Sequence, residues 1–269
     1  MMPAPTPPHP PRLPAFKVPG PLRLRAPRST NSVNLDSKTG VPFMPWPEFV
    51  ETFRFPRNQS ITIVGNNGSG KSVLMRELTW RRPYTVVLGT KPIDPQLYDG
   101  YIARGFKFVE TFDPSKDAKE NRVIFKPRAS TPDRKGRLQR AAKFEQVLFE
   151  IYEYGGWTID ADELKALCGD MQLGDTFETL WREGRSMNVG IVGATQQPVS
   201  IPVMAFSEAW HLFLFRSNDR RRVNRMAEFS GGQEDVLREL IPQLPEHEFV
   251  YVETRTGNLC RSMVTGNLA

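Results

Sequence analysis

The sequence predicts an α/β fold in which a mainly parallel central sheet is flanked by helices and ends in a C-terminal β-hairpin. Runs of buried-strand type alternate with segments of helical periodicity, and a glycine-rich turn joins one strong strand to the helix after it. This alternation is typical of parallel sheets, because two parallel strands need a crossover connection, usually a helix. The pattern fills residues 41–269, so we expect one large α/β domain there, preceded by a tail at residues 1–40.

The stretch ITIVGNNGSGKSVL, residues 61–74, places an apolar strand, a glycine-rich turn and the start of a helix in succession. Residues 65–72 fit the pattern GxxxxGK[ST], whose glycines let consecutive N–H groups converge on phosphates. Lys71 supplies a positive charge, Ser72 a hydroxyl for Mg²⁺, and the helix N-terminus a favourable dipole. We expect the nucleotide to be bound by Gly65, Asn66, Asn67, Gly68, Ser69, Gly70, Lys71, Ser72 and Val73.

The segment WTIDADEL, residues 157–164, is extended and ends in carboxylates. An ATPase needs such groups, one in the Mg²⁺ shell and one to polarise the attacking water. In one framing Asp162 is linked to the metal and Glu163 is the catalytic base; in the other the strand ends at Ile159 and Asp160 takes the metal role. Both aspartates point the same way on an extended chain, so periodicity cannot separate them. We favour the first framing because it supplies both groups.

A further buried strand is predicted at residues 188–195, and it delivers Gln196 and Gln197 to its C-terminal end. Ligands of open α/β sheets bind at that edge. A glutamine there can hydrogen-bond both the lytic water and the γ-phosphate. Gln196 is therefore a candidate sensor of the nucleotide state.

The other elements follow from hydrophobic periodicity. We predict an irregular lead-in at 41–53, further strands at 84–89, 106–109, 122–125 and 210–215, a hairpin of 248–253 with 259–264, and helices at 132–154, 175–187, 217–229 and 235–240. Asp175 and Glu178 have capping-box spacing at the start of the second helix. The arginines of 217–229 are read as a solvated face, with an intersubunit or DNA contact as the alternative.

The basic charge of the chain belongs mainly to its tail. Residues 1–35 hold five basic side chains and no acid, which leaves +1 of the net charge of +6 for the remainder. The same stretch contains ten prolines and few large apolar groups, so we expect a disordered, proline-rich basic tail. Charge alone is thus weak support for nucleic-acid binding by the folded part.

Several classes of protein are disfavoured by composition. The apolar runs are too short for a bilayer span and the N-terminus lacks a signal peptide's apolar centre, so we expect a cytoplasmic protein. The two cysteines, Cys168 and Cys260, and three histidines indicate neither a disulfide framework nor a metal cluster.

Four motifs occur in a fixed order over about residues 60–232: GNNGSGKS, DADEL, EGRSMNVGIVGATQQP and SEAWHLFLFRSNDRRRVNRMAEFSGG. Together they resemble the FtsK-HerA superfamily of P-loop ATPases. The resemblance implies a RecA-like fold with an additional strand, with ATP and Mg²⁺ as cofactors, and a ring-forming, usually hexameric motor that moves DNA. It implies catalytic roles for Lys71, Glu163, Gln196 and Arg185, and Mg²⁺ coordination by Ser72 and Asp162.

In that family the arginine of the GR pair, here Arg185, reaches the γ-phosphate of a neighbouring subunit. Asp160 departs from the pattern, since it interrupts the apolar run before the acids. A minimal motor core with a short tail looks most like the genome-packaging ATPases of membrane-containing phages. We therefore expect a homo-hexameric translocase of double-stranded DNA, in host cytoplasm or virion, that docks on a capsid or membrane-vertex protein. The alternative is an ATPase that powers protein or filamentous-phage assembly or secretion.

Overall fold

The structure, a computed structural model, describes residues 40–90, 95–115 and 121–265. Residues 1–39 of the predicted tail lie outside the described residues.

The described strands form a single mixed sheet. They are β1 (Ser60–Val64), β2 (Thr85–Leu88), β3 (Lys107–Val109), β4 (Arg122–Phe125), β5 (Thr158–Ala161), β6 (Gly190–Thr195), β7 (Ala209–Phe215), β8 (Glu248–Glu253) and β9 (Asn258–Met263). Their order across the sheet is β3-β4-β2-β5-β6-β1-β7-β8-β9. Neighbours from β3 to β7 are parallel, whereas β8 and β9 pair antiparallel. The predicted parallel sheet with a C-terminal hairpin is confirmed.

Helices connect and cover these strands. They are α1 (Trp46–Thr52), α2 (Lys71–Thr79), α3 (Pro95–Ile102), α4 (Arg134–Tyr154), α5 (Gly174–Glu183), α6 (Met204–Ser207), α7 (Arg220–Ala227) and α8 (Glu234–Gln243). A π-helical turn, Ala166–Asp170, precedes α5, and a 3₁₀ turn, Pro198–Ser200, follows β6.

The central strands β1, β2, β5 and β6 are buried on both faces, as is usual for parallel strands that are covered by helices on each side. Successive side chains of a strand point to opposite faces. In β7, Leu212 and Leu214 enter the core beneath α4 to α8, while Phe213 and Phe215 enter the core beneath α1 and α2. These two cores hold the parallel strands in place, and with them the sheet edge at which the strands end.

The prediction of an irregular lead-in at residues 41–53 is wrong, because α1 lies within it. Proline is tolerated in the first turn of a helix, where its missing N–H has no intrahelical partner, so Pro47 does not prevent this start. Phe49 packs edge-to-face on Phe249 with ring centroids 5.3 Å apart, and Phe53 on Phe213 at 5.4 Å. Aromatic packing against β7 and β8 stabilises this short helix.

Two further details differ from expectation. Helix α5 has Leu173 at its N-cap and no side-chain capping bond, so the capping box of Asp175 and Glu178 is not formed. The chain enters α5 directly from the π-helical turn, where the Leu173 N–H donates to Leu167 O at 3.0 Å. Helix α3 was not predicted, since a short segment with a proline and a glycine has low helix propensity.

Candidate active site

The candidate site lies at the edge of the sheet where the parallel strands end. β5, β6, β1 and β7 are consecutive neighbours, so the residues that follow them meet at this edge. The Gly65 N–H donates to Thr195 O at 3.2 Å, which ties the start of the glycine-rich loop to the residue before Gln196. The loop, the acidic segment and the glutamine are thereby brought together, as the sequence predicts.

The backbone of the glycine-rich loop requires its glycines. Gly68 and Gly70 have φ values of 74° and 96°, in the left-handed region that disfavours other residues. At Gly65 the constraint is space, because an added Cβ would lie 2.6 Å from Ser69 Oγ and 2.8 Å from Phe215 Cβ. The loop therefore curls closely over the end of β7.

Lys71 and Ser72 open helix α2 and face the loop. The Lys71 side chain is buried, and its ammonium donates to the Asn66 carbonyl at 2.7 Å. A cation held this way inside the curl is available for phosphate oxygens. The Ser72 hydroxyl donates to Asp162 Oδ1 at 3.1 Å.

Ser72 and Asp162 together fit a Mg²⁺ ion. The described residues contain no group of three or more His, Cys, Asp or Glu side chains that could hold a metal. Mg²⁺ needs no such cage, since it keeps several waters and takes one or two protein oxygens plus substrate phosphates. A hydroxyl and a carboxylate in contact at the end of the loop supply the hard oxygen ligands that this ion prefers.

Asp160 has a different environment from Asp162. It lies within β5 and is fully buried, and its Oδ2 accepts a hydrogen bond from the Tyr101 hydroxyl at 2.6 Å. Burial raises the pKa of Asp160 to about 7, and the hydrogen bond from Tyr101 opposes that rise. The hydroxyl of Ser72 contacts Asp162, whereas the carboxyl of Asp160 is hydrogen-bonded to Tyr101 of α3.

Glu163 and Gln196 complete the edge. Glu163 is half-buried in the turn that follows Asp162, and its carbonyl accepts from the Leu167 N–H at 3.2 Å. Gln196 is also half-buried and follows β6 directly. Both residues are partly exposed, as a general base and a water-orienting amide must be to reach a ligand.

Two arginines that the sequence analysis left outside the site also contact the loop. Arg222 of α7 donates from Nη1 to Asn66 Oδ1 at 3.0 Å, and Asn66 Nδ2 donates to Arg216 O at 3.3 Å. Asp219 caps α7 by accepting from the N–H groups of Arg221 and Arg222. The sequence carried no signal for this contact, because it depends on β7 lying beside β1 in the sheet.

Arg185 is not brought to the loop of its own chain. It is exposed in the turn before β6, and its guanidinium lies 5.1 Å from the ring centroid of Trp210 at the start of β7. Arg255 lies 5.2 Å from the same ring. Arg185 and Trp210 lie at the edge of the sheet where β6 and β7 begin, which is opposite the edge that carries the loop. The length of β6, on the order of 17 Å, therefore separates Arg185 from the loop.

Neither cysteine supplies a nucleophile. Cys168 and Cys260 are free thiols. Burial raises the pKa of Cys168 to about 12 and that of Cys260 to about 11, so both are protonated near neutral pH. Within the described part of the chain, no helix combines the length and apolar character needed to cross a bilayer.

Comparisons with known proteins support the fold. No protein family and no curated protein matches the chain. The genome packaging NTPase B204 from Sulfolobus turreted icosahedral virus 2, in complex with sulfate, matches with a TM-score of 0.60 at 12% identity, over 79% of this chain and 99% of that chain. Its complex with AMPPCP matches with a TM-score of 0.56 at 13% identity, over 77% and 98% of the two chains.

VirB4 of Thermoanaerobacter pseudethanolicus matches with a TM-score of 0.51 at 8% identity, over 77% of this chain and 90% of that chain. These neighbours are P-loop ATPases of the FtsK-HerA superfamily. At such low identity the likeness establishes the fold alone. The fold that the resemblance implies is therefore confirmed.

Proposed function

We propose that this chain is a Mg²⁺-dependent ATPase that uses ATP hydrolysis to translocate double-stranded DNA during viral genome packaging. The observation that carries the proposal is the hydrogen bond from Ser72 to Asp162 at the glycine-rich loop, beside Glu163 and Gln196. The B204 neighbours, which are described as genome packaging NTPases and were crystallised with AMPPCP, AMP and ATP-γ-S, support this choice.

Binding of ATP uses the loop and its flanking residues. The N–H groups of residues 65–73 surround the β- and γ-phosphates, and the N-terminus of α2 points its dipole at them. When ATP binds, the Lys71 ammonium donates to a phosphate oxygen instead of the Asn66 carbonyl. Ser72 and Asp162 would hold Mg²⁺, and that ion would supply positive charge to neutralise the charge that develops on the transferred phosphoryl group.

Hydrolysis then depends on residues that follow β5 and β6. Glu163 accepts a proton from the attacking water, and Gln196 orients that water against the γ-phosphate. Asp160 stays in the core as a structural carboxyl bonded to Tyr101. This assignment takes the first of the two framings for the acidic segment.

Completion of the site requires a second copy of the chain. Arg185 lies at the sheet edge opposite the loop, where its guanidinium is exposed beside Trp210. In a ring of identical subunits, an arginine on one edge of each subunit can contact the nucleotide that is bound at the facing edge of the neighbouring subunit. We propose a homo-hexamer with Arg185 acting in trans, docked on a capsid or membrane-vertex protein in the host cytoplasm or the virion.

The test is steady-state ATP hydrolysis by the purified full chain, with and without double-stranded DNA. We expect Mg²⁺-dependent hydrolysis that duplex DNA stimulates several-fold, with a stimulation that weakens as salt rises. The Lys71→Ala variant should lose hydrolysis in both conditions. Absence of hydrolysis overturns the proposal. Hydrolysis that ignores DNA but responds to a polypeptide would instead support a protein-assembly or secretion ATPase.

A further inference from the structure

An open basic groove lies beside the nucleotide edge, and the hydrolytic mechanism does not use it. Helix α7 contributes Arg220, Arg221 and Arg225, helix α8 contributes Arg238, and the 3₁₀ turn after β6 contributes Val199. The groove is shallow and largely open to solvent. We refer to these five residues as the basic groove.

The charge of the groove is positive and partly uncompensated. Arg225 pairs with Glu228 at 2.8 Å, and Arg238 pairs with Asp235 at 2.9 Å. Both are i,i+3 pairs with exposed acids, which contribute little and exchange readily for a stronger anion. Arg220 and Arg221 are exposed, and among the described residues neither side chain has an ion pair. An anionic partner would be drawn to this surface.

The arrangement of the arginines fits a chain of phosphates better than a single small anion. Arg221 and Arg225 are four residues apart in α7, so they lie on one side of the helix about 6 Å apart along its axis. Arg238, on the neighbouring helix α8, lines the same groove. A site for one phosphate would instead make its donors converge. A row of cations along an open groove matches the repeating charge of a nucleic-acid backbone.

Both walls of the groove are connected to the nucleotide site. The 3₁₀ turn begins at Pro198, two residues after Gln196. A displacement of the backbone at Gln196 would therefore also displace Val199. Helix α7 carries Arg222, which donates to the side chain of Asn66 in the glycine-rich loop at 3.0 Å. Rearrangement of the loop around a triphosphate would therefore displace the helix that presents the arginines.

We propose that the basic groove binds the phosphate backbone of double-stranded DNA, and that Arg222 links its occupancy to the nucleotide state of the loop. This inference rests on the proposed function, since it names the surface on which the moved DNA is held. The Arg225 guanidinium lies 6.0 Å from the ring centroids of both Phe206 and Phe229, and these rings restrict its motion at the wall of the groove.

The first experiment measures binding of a fluorescently labelled short duplex to the full chain by anisotropy, over a range of salt concentrations. The groove variant is Arg220→Ala/Arg221→Ala, and the matched control is Arg134→Ala/Arg137→Ala, which removes the same charge from exposed positions on α4. We expect the groove variant to bind roughly tenfold more weakly, with a slope of log K against log salt reduced by about 2. The control variant should bind like the unmodified chain.

Two results would overturn the groove assignment. One is an affinity and salt slope that the groove variant shares with the unmodified chain. The other is loss of binding to a labelled polyglutamate in the groove variant while duplex binding is retained, which would make the groove a site for an acidic polypeptide. Because this measurement needs no hydrolysis, a groove that binds DNA in an inactive protein would refute the proposed ATPase and leave the groove assignment standing.

The second experiment tests the link through Arg222. Duplex affinity is measured with and without ATP-γ-S for the unmodified chain and for Arg222→Ala. We expect nucleotide to change the affinity of the unmodified chain by several-fold and to leave that of the variant unchanged. A nucleotide effect that survives Arg222→Ala would exclude Arg222 as the link.

Discussion

The hydroxyl of Ser72 and the carboxylate of Asp162, which are 90 positions apart in the chain, are joined by a hydrogen bond of 3.1 Å. Ser72 lies in the first turn of α2, which follows β1, and Asp162 follows the end of β5, two places away in the sheet. The bond therefore spans the position at which β6 delivers Gln196. In the proposed mechanism, it defines where a Mg²⁺ ion and the γ-phosphate would meet Glu163 and Gln196.

The two aspartates are predicted to behave differently on substitution. Asp162→Asn removes the negative charge next to Ser72, so hydrolysis should fall on the order of 100-fold, with a raised Mg²⁺ requirement. Asp160→Asn keeps an acceptor for Tyr101 within the core, so hydrolysis should stay within a few-fold of the unmodified chain. Steady-state ATP hydrolysis by the two variants, measured over a Mg²⁺ titration, tests this ranking. The reverse ranking would assign the metal role to Asp160.

Asp160 should also make the free energy of unfolding depend on pH. Its pKa in the folded chain is about 7, above the usual value near 3.9 in an unfolded chain. Between those values the folded protein keeps a proton that the unfolded chain has lost, so the free energy of unfolding decreases as pH rises. The decrease attributable to this group is on the order of 3 kcal/mol between about pH 4 and pH 7.

Urea unfolding at pH 5 and pH 8 measures this effect. Asp160→Asn cannot titrate, so its stability relative to the unmodified chain should be higher at pH 8 than at pH 5. A difference in stability that is the same at both pH values would show that Asp160 does not have a raised pKa.

Much of this site could be predicted from the sequence, because its residues directly follow buried strands. The loop at 65–73, the acids after residue 159, and Gln196 each came from an apolar run that stops at polar residues. The sequence favours Asp162 only because Asp followed by Glu supplies both groups, and the structural environment that distinguishes it from Asp160 could not be predicted. It depends on where β5 ends and on the hydroxyl of Tyr101, from the unpredicted helix α3.

The close packing of Gly65 predicts a strong effect of a single methyl group. In Gly65→Ala the new Cβ would meet Ser69 Oγ and Phe215 Cβ at 2.6 and 2.8 Å, so the loop must shift away from β7. We expect a loss of about 1–3 kcal/mol in the free energy of unfolding, together with weaker binding of ATP-γ-S. Gly169→Ala is the control, because its Cβ meets nothing within 4 Å. Equal nucleotide affinity in both variants would contradict the described loop geometry.

The position of Arg185 predicts complementation between subunits. Lys71→Ala and Arg185→Ala should each be inactive alone, because one lacks the phosphate ligand and the other the finger. In a randomly assembled mixture about a quarter of the sites would pair an intact loop with an intact finger, so activity should reappear. Arg182→Ala, from the same helix end, should stay active alone. A mixture no more active than its components would rule out action in trans.

Other features could not be predicted, because they depend on neighbours in space. The contact of Arg222 with Asn66 requires that β7 lie beside β1 in the sheet, an order that periodicity does not specify. Likewise, the separation of Arg185 from the loop follows from the parallel direction of β6 and β7. The arginine-rich helix α7 therefore looked like a solvated face in the sequence, although part of it contacts the nucleotide loop.

Movement of DNA is the central claim, and displacement of a third strand from duplex DNA tests it most directly. The purified full chain is mixed with a duplex that carries a triplex-forming oligonucleotide, and release of that oligonucleotide is followed after addition of ATP and Mg²⁺. We predict release that requires ATP and is lost in Glu163→Gln, which should still bind nucleotide but lack the base. Hydrolysis of ATP without release, at a rate that duplex DNA leaves unchanged, would contradict the account.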